Sequence, residues 1–252
     1  MKPLYTGQGV KVAVIDSGIN PWHSHVRGVE GGVRIRATKG PLALELDDRY
    51  TDDLGHGTAV AGVIRRWAPG CELYSVRVFD RALVTYPSAL IEGIEWSLAA
   101  GIRVINLSLG TSNEAHIPSL LAVCQRALEA GAALIAAAET RNRGRYPAAF
   151  PIVLGVAAQE DCREEELIYV EGDPIEFRAL GQPLPLPGLP QGRNLQGCSF
   201  AAARVTGRLA TLLEAFPSAD LPQLRALLIN QAATRSTTLR NNPPFPLEHP
   251  SP

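Results

Sequence analysis

Three short segments of this 252-residue chain place a serine, a histidine and an aspartate where they could support nucleophilic catalysis. Ser199 follows Gly-Cys and precedes a run of small residues that predicts a helix. At such a helix start, free backbone N–H groups and the positive end of the helix dipole favour a developing oxyanion. His56 lies between two glycines, and Asp16 follows an apolar run. A histidine can take the proton of a serine, and a carboxylate can orient the imidazole.

Each segment also has an ordinary structural explanation. A serine behind a glycine at a helix start is a common N-cap. Asp-Ser-Gly after an apolar strand is a common turn, and a histidine between glycines can be a simple loop residue. What favours catalysis is the occurrence of all three, in the order Asp16, His56, Ser199.

The sequences around these residues resemble the subtilisin-like serine peptidase family, whose catalytic residues follow the same chain order. The similar segments are 12–19 for the family's Asp segment, 56–62 for its His segment and 197–202 for its Ser segment, with further likeness at 94–96 and 104–110. Ala59 stands where a second histidine is common. The resemblance implies that Ser199 is the nucleophile, that His56 is the base and then the acid, and that Asp16 orients His56.

The resemblance leaves the oxyanion site incomplete. One donor should be the backbone N–H of Ser199, and the family usually adds an Asn side chain after an alanine-rich strand. Aligning the alanines of 136–138 puts Thr140 at that position, while Asn142 follows two residues later. Loss of such a donor costs about 10²- to 10³-fold in rate. The sequence therefore keeps open both an active enzyme and a catalytically impaired homologue.

Substrate recognition is predicted at two further places. Ser108, Leu109 and Gly110 resemble the family segment that lines the first specificity pocket, whose backbone pairs with an extended peptide by strand addition. Arg145 precedes Tyr-Pro, which by resemblance marks the far side of that pocket. Either Arg145 pairs with an acidic P1 side chain, or it belongs to a solvated basic loop.

Composition and charge bound the class of protein. The chain is 46% hydrophobic and long enough for one sizeable core. A net charge of -1 gives no basic surface that favours nucleic acid or an anionic membrane, and no apolar run reaches the length of a membrane span. The four cysteines have no zinc spacing and predict reduced thiols, with Cys198 in a packing role. We expect a cytoplasmic chain without a signal or pro-segment, although a trimmed secreted chain would look the same.

Apolar β-rich runs alternate with helical patterns along the chain. The predicted strands are 10–15, 73–79, 104–107, 133–137 and 152–156, and the predicted helices are 58–67, 87–100, 119–130 and 199–216. Ser88 and Gly101 supply start and stop signals for the second helix. This pattern predicts an α/β fold with a doubly wound, mostly parallel sheet flanked by helices. The resemblance makes it a subtilisin-like three-layer sandwich.

The rest of the chain offers fewer signals. Residues 28–53 are a glycine- and charge-rich insertion, whose Asp pairs at 47–48 and 52–53 suggest either calcium or, as we predict, a solvated acidic loop. The Pro/Leu-rich residues 181–192 should be extended. We predict one peptidase domain over 1–236 and a Pro-rich tail over 237–252, with no required metal or cofactor.

The function that these predictions favour is a serine endopeptidase that hydrolyses peptide bonds through a Ser-His-Asp triad. A cytoplasmic peptidase must spare other proteins, so restricted specificity is expected, for example the processing of a precursor peptide. The alternative is a catalytically impaired binding or scaffold protein on the same fold. A peptide or protein is the expected partner, and the oligomeric state is left open.

Overall fold

The computed structural model describes residues 4–38, 40, 43–138 and 146–236. Thr140, Asn142, Arg145 and the predicted tail at 237–252 lie outside these residues. The described strands are β1 (Lys11–Asp16), β2 (Gly31–Ala37), β3 (Leu44–Asp47), β4 (Glu72–Arg77), β5 (Val104–Leu107), β6 (Ala133–Ala137), β7 (Leu154–Ala158), β8 (Ile168–Glu171), β9 (Phe177–Ala179) and β10 (Ala233–Ser236). The described α-helices are α1 (His56–Trp67), α2 (Pro87–Ala99), α3 (Ile117–Glu129), α4 (Cys198–Ala215) and α5 (Leu221–Gln231).

All the described strands join one sheet in the order β10-β8-β9-β7-β6-β5-β1-β4-β2-β3. Its pairs are parallel except β2 with β3 and β8 with β9. Each predicted strand and helix is present, and its ends differ from the prediction by two residues at most. The predicted α/β fold with a mostly parallel, helix-flanked sheet is confirmed.

Two hydrophobic cores lie on opposite faces of the sheet, because successive side chains of a strand point to opposite sides. In β1, Val12 and Val14 enter the core beneath α1 and α4. Their neighbours Ala13 and Ile15 enter the core beneath α2 and α3. All four are fully buried. Both helix layers therefore pack against the same central strands, which contribute residues to each core.

Residues 28–53 are not the solvated acidic loop that we predicted. They contain β2 and β3, an antiparallel pair at the edge of the sheet. Val33 and Ile35 of β2 are buried, and Arg34 donates to both Asp47 carboxylate oxygens, at 3.1 and 2.5 Å. This bidentate pair holds the pKa of Asp47 well below its usual range. The charged residues hid the apolar alternation that marks a strand.

Two local predictions also differ from the structure. Helix α2 begins at Pro87 with Tyr86 as its N-cap, so Ser88 is not the start signal; its hydroxyl is buried without a partner among the described residues. A proline suits the first helical position because its missing N–H needs no acceptor there. Residues 181–192 form no strand; they carry an isolated bridge between Leu186 and Leu189 and run into the short 3₁₀ helix Gln191–Arg193.

Glu214, near the end of α4, binds the segment that precedes β1. Its Oε2 accepts the backbone N–H groups of Thr6, Gly7 and Gln8, at 2.6, 2.6 and 3.1 Å. We expect Glu214→Gln to lower the free energy of unfolding by about 1–3 kcal/mol, because an amide oxygen accepts these bonds more weakly than a carboxylate. Chemical denaturation would measure the change.

The matched control for this prediction is Glu160→Gln, which neutralises an exposed glutamate in a turn. It should change the free energy of unfolding by less than about 0.5 kcal/mol. Equal stability of the two variants would show that the Glu214 contacts contribute nothing to the fold.

Candidate active site

The predicted chemical residues lie at the edge of the sheet where the central parallel strands end. Asp16 is the last residue of β1, and Ser108 follows β5 directly. His56 is the first residue of α1, and Ser199 is the second residue of α4. In parallel α/β sheets, strands end and the following helices begin at the same edge, which is where sites form.

Asp16 and His56 are directly paired. The Nδ1 atom of His56 lies 2.8 Å from Asp16 Oδ1 and 2.9 Å from Oδ2. Asp16 Oδ1 also accepts the Ser17 N–H at 2.6 Å, and the Asp16 carboxylate is fully buried. Since a carboxylate accepts hydrogen bonds, it fixes the proton of His56 on Nδ1 and leaves Nε2 free for other chemistry.

A second carboxylate, Asp52, holds the loop that enters α1. Asp52 Oδ1 accepts the N–H groups of Leu54 and Gly55 and the Ser17 hydroxyl, each at 2.9 Å. Asp52 Oδ2 accepts the Thr58 N–H at 2.9 Å and the Thr58 hydroxyl at 2.6 Å. A carboxylate at a helix start satisfies free N–H groups and suits the helix dipole. Asp52 thus fixes the backbone on both sides of His56.

The electrostatics of His56 follow from these contacts. Burial of its side chain, which is 13% exposed, favours the neutral imidazole and by itself lowers the pKa of His56. The hydrogen bond and negative charge of Asp16, with a smaller contribution from Asp52, outweigh burial and raise that pKa above its ordinary value. His56 is therefore a stronger base than an isolated histidine.

Ser199 lies beside this pair. The Phe200 ring, next along α4, is 5.5 Å from the His56 ring between centroids. The Ser199 hydroxyl donates to the Ser108 backbone oxygen at 3.4 Å; among the described residues, no hydrogen bond joins it to His56. The structure thus brings Ser199 and Ser108 together and pairs His56 with Asp16.

A buried polar chain connects α4 to the segment that follows β5. The Thr206 hydroxyl donates to Asn106 Oδ1 at 2.9 Å, and Asn106 Nδ2 donates to the Ser108 hydroxyl at 3.1 Å. Asn106 and Thr206 are fully buried. Because a buried amide needs partners for both ends, this chain fixes Ser108 relative to the helix that carries Ser199.

Leu109 and Gly110 line a cavity of 170 Å³ together with Tyr86 and Leu90. Thr111, next in the chain, exchanges two backbone hydrogen bonds with Tyr146, at 2.7 and 2.8 Å. The segment 108–110 therefore lies next to the N-terminal end of α4, which carries Ser199, and beside this small cavity. The other candidates for substrate and oxyanion contacts, namely Arg145, Thr140 and Asn142, lie outside the described residues.

Sequence reasoning missed two residues of this site. The sequence predicts Asp52 only as part of an acidic run, and no capping motif marks it, because the N-cap of α1 is Gly55. Asn106 interrupts an apolar strand, and an amide in such a run signals a buried polar contact.

The remaining titratable groups show no metal centre or disulfide. No group of three His, Cys, Asp or Glu side chains within the described residues could hold a metal ion. None of the four cysteines forms a disulfide, and burial raises the pKa of Cys71 to about 11 and that of Cys124 to about 12. Cys198 Sγ accepts the Ala158 N–H at 3.4 Å, in keeping with a packing role. None of the described helices combines the length and apolarity needed to cross a membrane.

Comparisons with known proteins identify the family. The family model described as the subtilase family matches residues 7–245. Minor extracellular protease Epr of Bacillus subtilis (strain 168) is 32% identical over 233 residues, which cover 87% of this chain and 34% of Epr. Subtilisin E of the same strain is 32% identical over 90% of this chain and 61% of its own length. Subtilisin of Bacillus pumilus is also 32% identical, over 90% of this chain and 85% of its own length.

A solved structure, that of a cold adapted subtilisin-like serine proteinase, superimposes with a TM-score of 0.68 at 23% identity. The match covers 91% of this chain and 84% of that chain, and it supports the fold. The chain spans about a third of Epr and less than two thirds of subtilisin E. The family match over most of its length nevertheless shows that the chain belongs to the subtilase family.

Proposed function

We propose that this chain is a serine endopeptidase that hydrolyses peptide bonds with Ser199 as nucleophile. The observation that carries the proposal is the buried Asp16–His56 pair, with Nδ1 at 2.8 Å from the carboxylate, beside the helix start that holds Ser199. Membership of the subtilase family supports it, because relatives named as subtilisins and proteases match most of this chain.

The proposed reaction begins when the Ser199 hydroxyl turns from the Ser108 backbone oxygen toward His56. His56 Nε2 takes the proton while Ser199 Oγ attacks the substrate carbonyl carbon. Asp16 stabilises the imidazolium that forms. His56 then gives the proton to the leaving amine, and water releases the acyl group by the same route.

Two sets of residues would bind the reacting peptide. The backbone N–H of Ser199 is one donor for the oxyanion, and Thr140, or less directly Asn142, is the proposed second donor. The backbone of Ser108, Leu109 and Gly110 pairs with the extended substrate before the scissile bond. Arg145 is the proposed partner of an acidic P1 side chain, and cleavage of peptides that differ only at P1 would test it.

We further propose a restricted substrate range, such as a precursor peptide, and a cytoplasmic location. The support for the location is that none of the four cysteines forms a disulfide. Epr, by contrast, is named as an extracellular protease. The restricted substrate range and the cytoplasmic location stay predictions. The same holds for the division into one peptidase domain over 1–236 and a Pro-rich tail over 237–252.

The experiment that tests the proposed function is labelling with a fluorophosphonate probe, which reacts with activated serines. We expect labelling at neutral pH, loss of the label in Ser199→Ala, and loss of peptide hydrolysis by about 10⁴- to 10⁶-fold. Mass spectrometry of the labelled peptide would locate the probe. Unlabelled but folded wild-type protein would instead favour the impaired binding or scaffold protein.

The pH profile of kcat/KM gives a second prediction. Because only neutral His56 accepts a proton, activity should rise with pH through an apparent pKa above the ordinary histidine value. Asp52→Asn removes a negative charge that favours the imidazolium, so this limb should move to lower pH. The loosened loop should also lower kcat about 10- to 100-fold. Initial rates between pH 5 and 9 would record both changes.

Asp48→Asn is the matched control, since Asp48 is an exposed aspartate four residues away in sequence. It should leave the acid limb and kcat unchanged. If both variants shifted the limb equally, a general charge effect would replace the specific contact that we describe.

A further inference from the structure

Two cavities adjoin along the outer face of α1 and form one channel. The first, of 630 Å³, is lined by Gly55, Thr58 and Ala59, which flank His56 in the chain. The second, of 440 Å³, is lined by helix residues one and two turns further on. His25 and Leu184 line both cavities, which therefore lie end to end. We call this joined space the α1 channel; its helix residues are Thr58, Ala59, Gly62, Arg65 and Arg66.

The end of the α1 channel near His56 is apolar at its rim. Leu54, Leu186 and Leu195 line it and are 36%, 36% and 44% exposed. Exposed apolar side chains gathered around a concave space favour contact with apolar groups of a ligand.

The far end of the α1 channel is basic. Arg27, Arg65 and Arg66 line it. The Arg65 guanidinium is held by the backbone oxygens of Val26, Gly28 and Cys71, at 2.8, 3.1 and 2.5 Å. No described carboxylate lies within 4.0 Å of Arg27 or Arg65, so their charges are not neutralised there. Within the described part of the chain, Arg66 pairs with Glu164, at 3.4 Å.

The end near His56 lacks this excess of positive charge. Asp52 and Asp53 line it, and Asp53 pairs with Arg77 at 2.8 Å. Arg193 is the one described cation among the residues that line this end. An acidic ligand side chain is thus attracted more strongly to the arginines at the far end than to the end near His56.

The direction of a bound peptide follows from the proposed mechanism. His56 gives its proton to the leaving amine, so the peptide beyond the scissile bond continues on the His56 side. The ten residues from His56 to Arg66 rise by about 15 Å along α1. An extended peptide covers that length in about four or five residues.

We propose that the α1 channel is an exosite that binds the part of a peptide substrate beyond the scissile bond, with acidic side chains about four or five residues after it. The proposal rests on the proposed function for its direction. It adds a substrate class, namely peptides with an acidic segment after the scissile bond. It also explains how residues distant from that bond could make cleavage selective.

Binding to Ser199→Ala tests the exosite without turnover. The probes are two fluorescein-labelled peptide amides, Ala-Leu-Ala-Glu-Glu-Glu and Ala-Leu-Ala-Gln-Gln-Gln, followed by fluorescence anisotropy. The Glu peptide should bind more tightly and lose affinity with added salt. Arg27→Gln with Arg66→Gln should weaken its binding about two- to twenty-fold, the range for two exposed ion pairs.

The matched control is Arg126→Gln, which removes a surface arginine that also has one glutamate partner, Glu95, but lies on α3. It should leave the affinity for the Glu peptide unchanged. Equal binding of the Glu and Gln peptides, or an equal loss in the control, would overturn the exosite.

Cleavage separates this proposal from the proposed function. In substrates identical up to the third residue after the scissile bond, Glu at the next two positions should lower KM about two- to twenty-fold against Gln, with kcat unchanged. The double arginine variant should remove that difference. Cleavage without any preference would defeat the exosite and leave the peptidase standing, whereas selective binding without cleavage would defeat the peptidase alone.

Discussion

Asp16→Asn is expected to lower kcat for peptide hydrolysis by about 10⁴-fold while the protein stays folded. The two side chains have nearly the same shape, so Asn can keep the Ser17 N–H contact. It cannot hold the Nδ1 proton as a carboxylate does, because its amide group can donate instead of accept. His56 would then turn its protonated nitrogen toward Ser199 and could not take the hydroxyl proton. Loss of the negative charge also removes the chief influence that raises the pKa of His56.

Single-turnover hydrolysis and the rate of fluorophosphonate labelling would measure this effect. Asp161→Asn makes the same chemical change at an exposed turn and should leave both rates unchanged. Thermal unfolding would show whether Asp16→Asn is folded. A folded variant that lost less than about tenfold in kcat would contradict the role assigned to Asp16.

The second large effect is expected from Gly57→Ala. A Cβ atom at position 57 would lie 2.2 Å from the Gly18 backbone oxygen and 3.1 Å from Asp16 Cβ. A backbone oxygen cannot rotate away, so the start of α1 and the turn after β1 must separate. That movement pulls His56 from Asp16. We expect kcat/KM to fall at least about 100-fold, as for a misplacement of about 1 Å, and stability to fall by about 1–3 kcal/mol.

Gly192→Ala is the control for this change, since a Cβ atom there meets nothing within 4 Å. It should keep wild-type kcat/KM and stability. Measuring both variants with the same peptide and by the same denaturation would separate the clash from the general effect of an added methyl group. Wild-type activity in Gly57→Ala would show that α1 tolerates the movement.

The sequence predicted the centre of the fold well because the central strands are nearly continuous apolar runs buried on both sides. The strands β8, β9 and β10 were missed because their short sequences, IYVE, FRA and ATRS, mix polar with apolar residues and give no such run. Helix α5 was also missed, although Asp220 and Gln223 have the spacing of the capping box that they form.

For the site, short motifs were enough to find Asp16, His56 and Ser199 as candidates. Motifs could not reveal the partners that come from elsewhere in the chain. Asp52 joins two loops through side-chain oxygens, and Thr206 reaches Asn106 across 100 residues of sequence. Such contacts depend on the packing of α1 and α4 against the sheet, which no local pattern records.

The sharing of β1 between two cores has a consequence for cooperativity. Since adjacent residues of β1 are buried on opposite faces, neither helix layer can open without exposing the strand that ends in Asp16. The position of Asp16 is therefore set by the global fold. On heating, Asp16 should keep its place until the whole sheet unfolds, so that the loss of this strand end and the unfolding of the chain are one event.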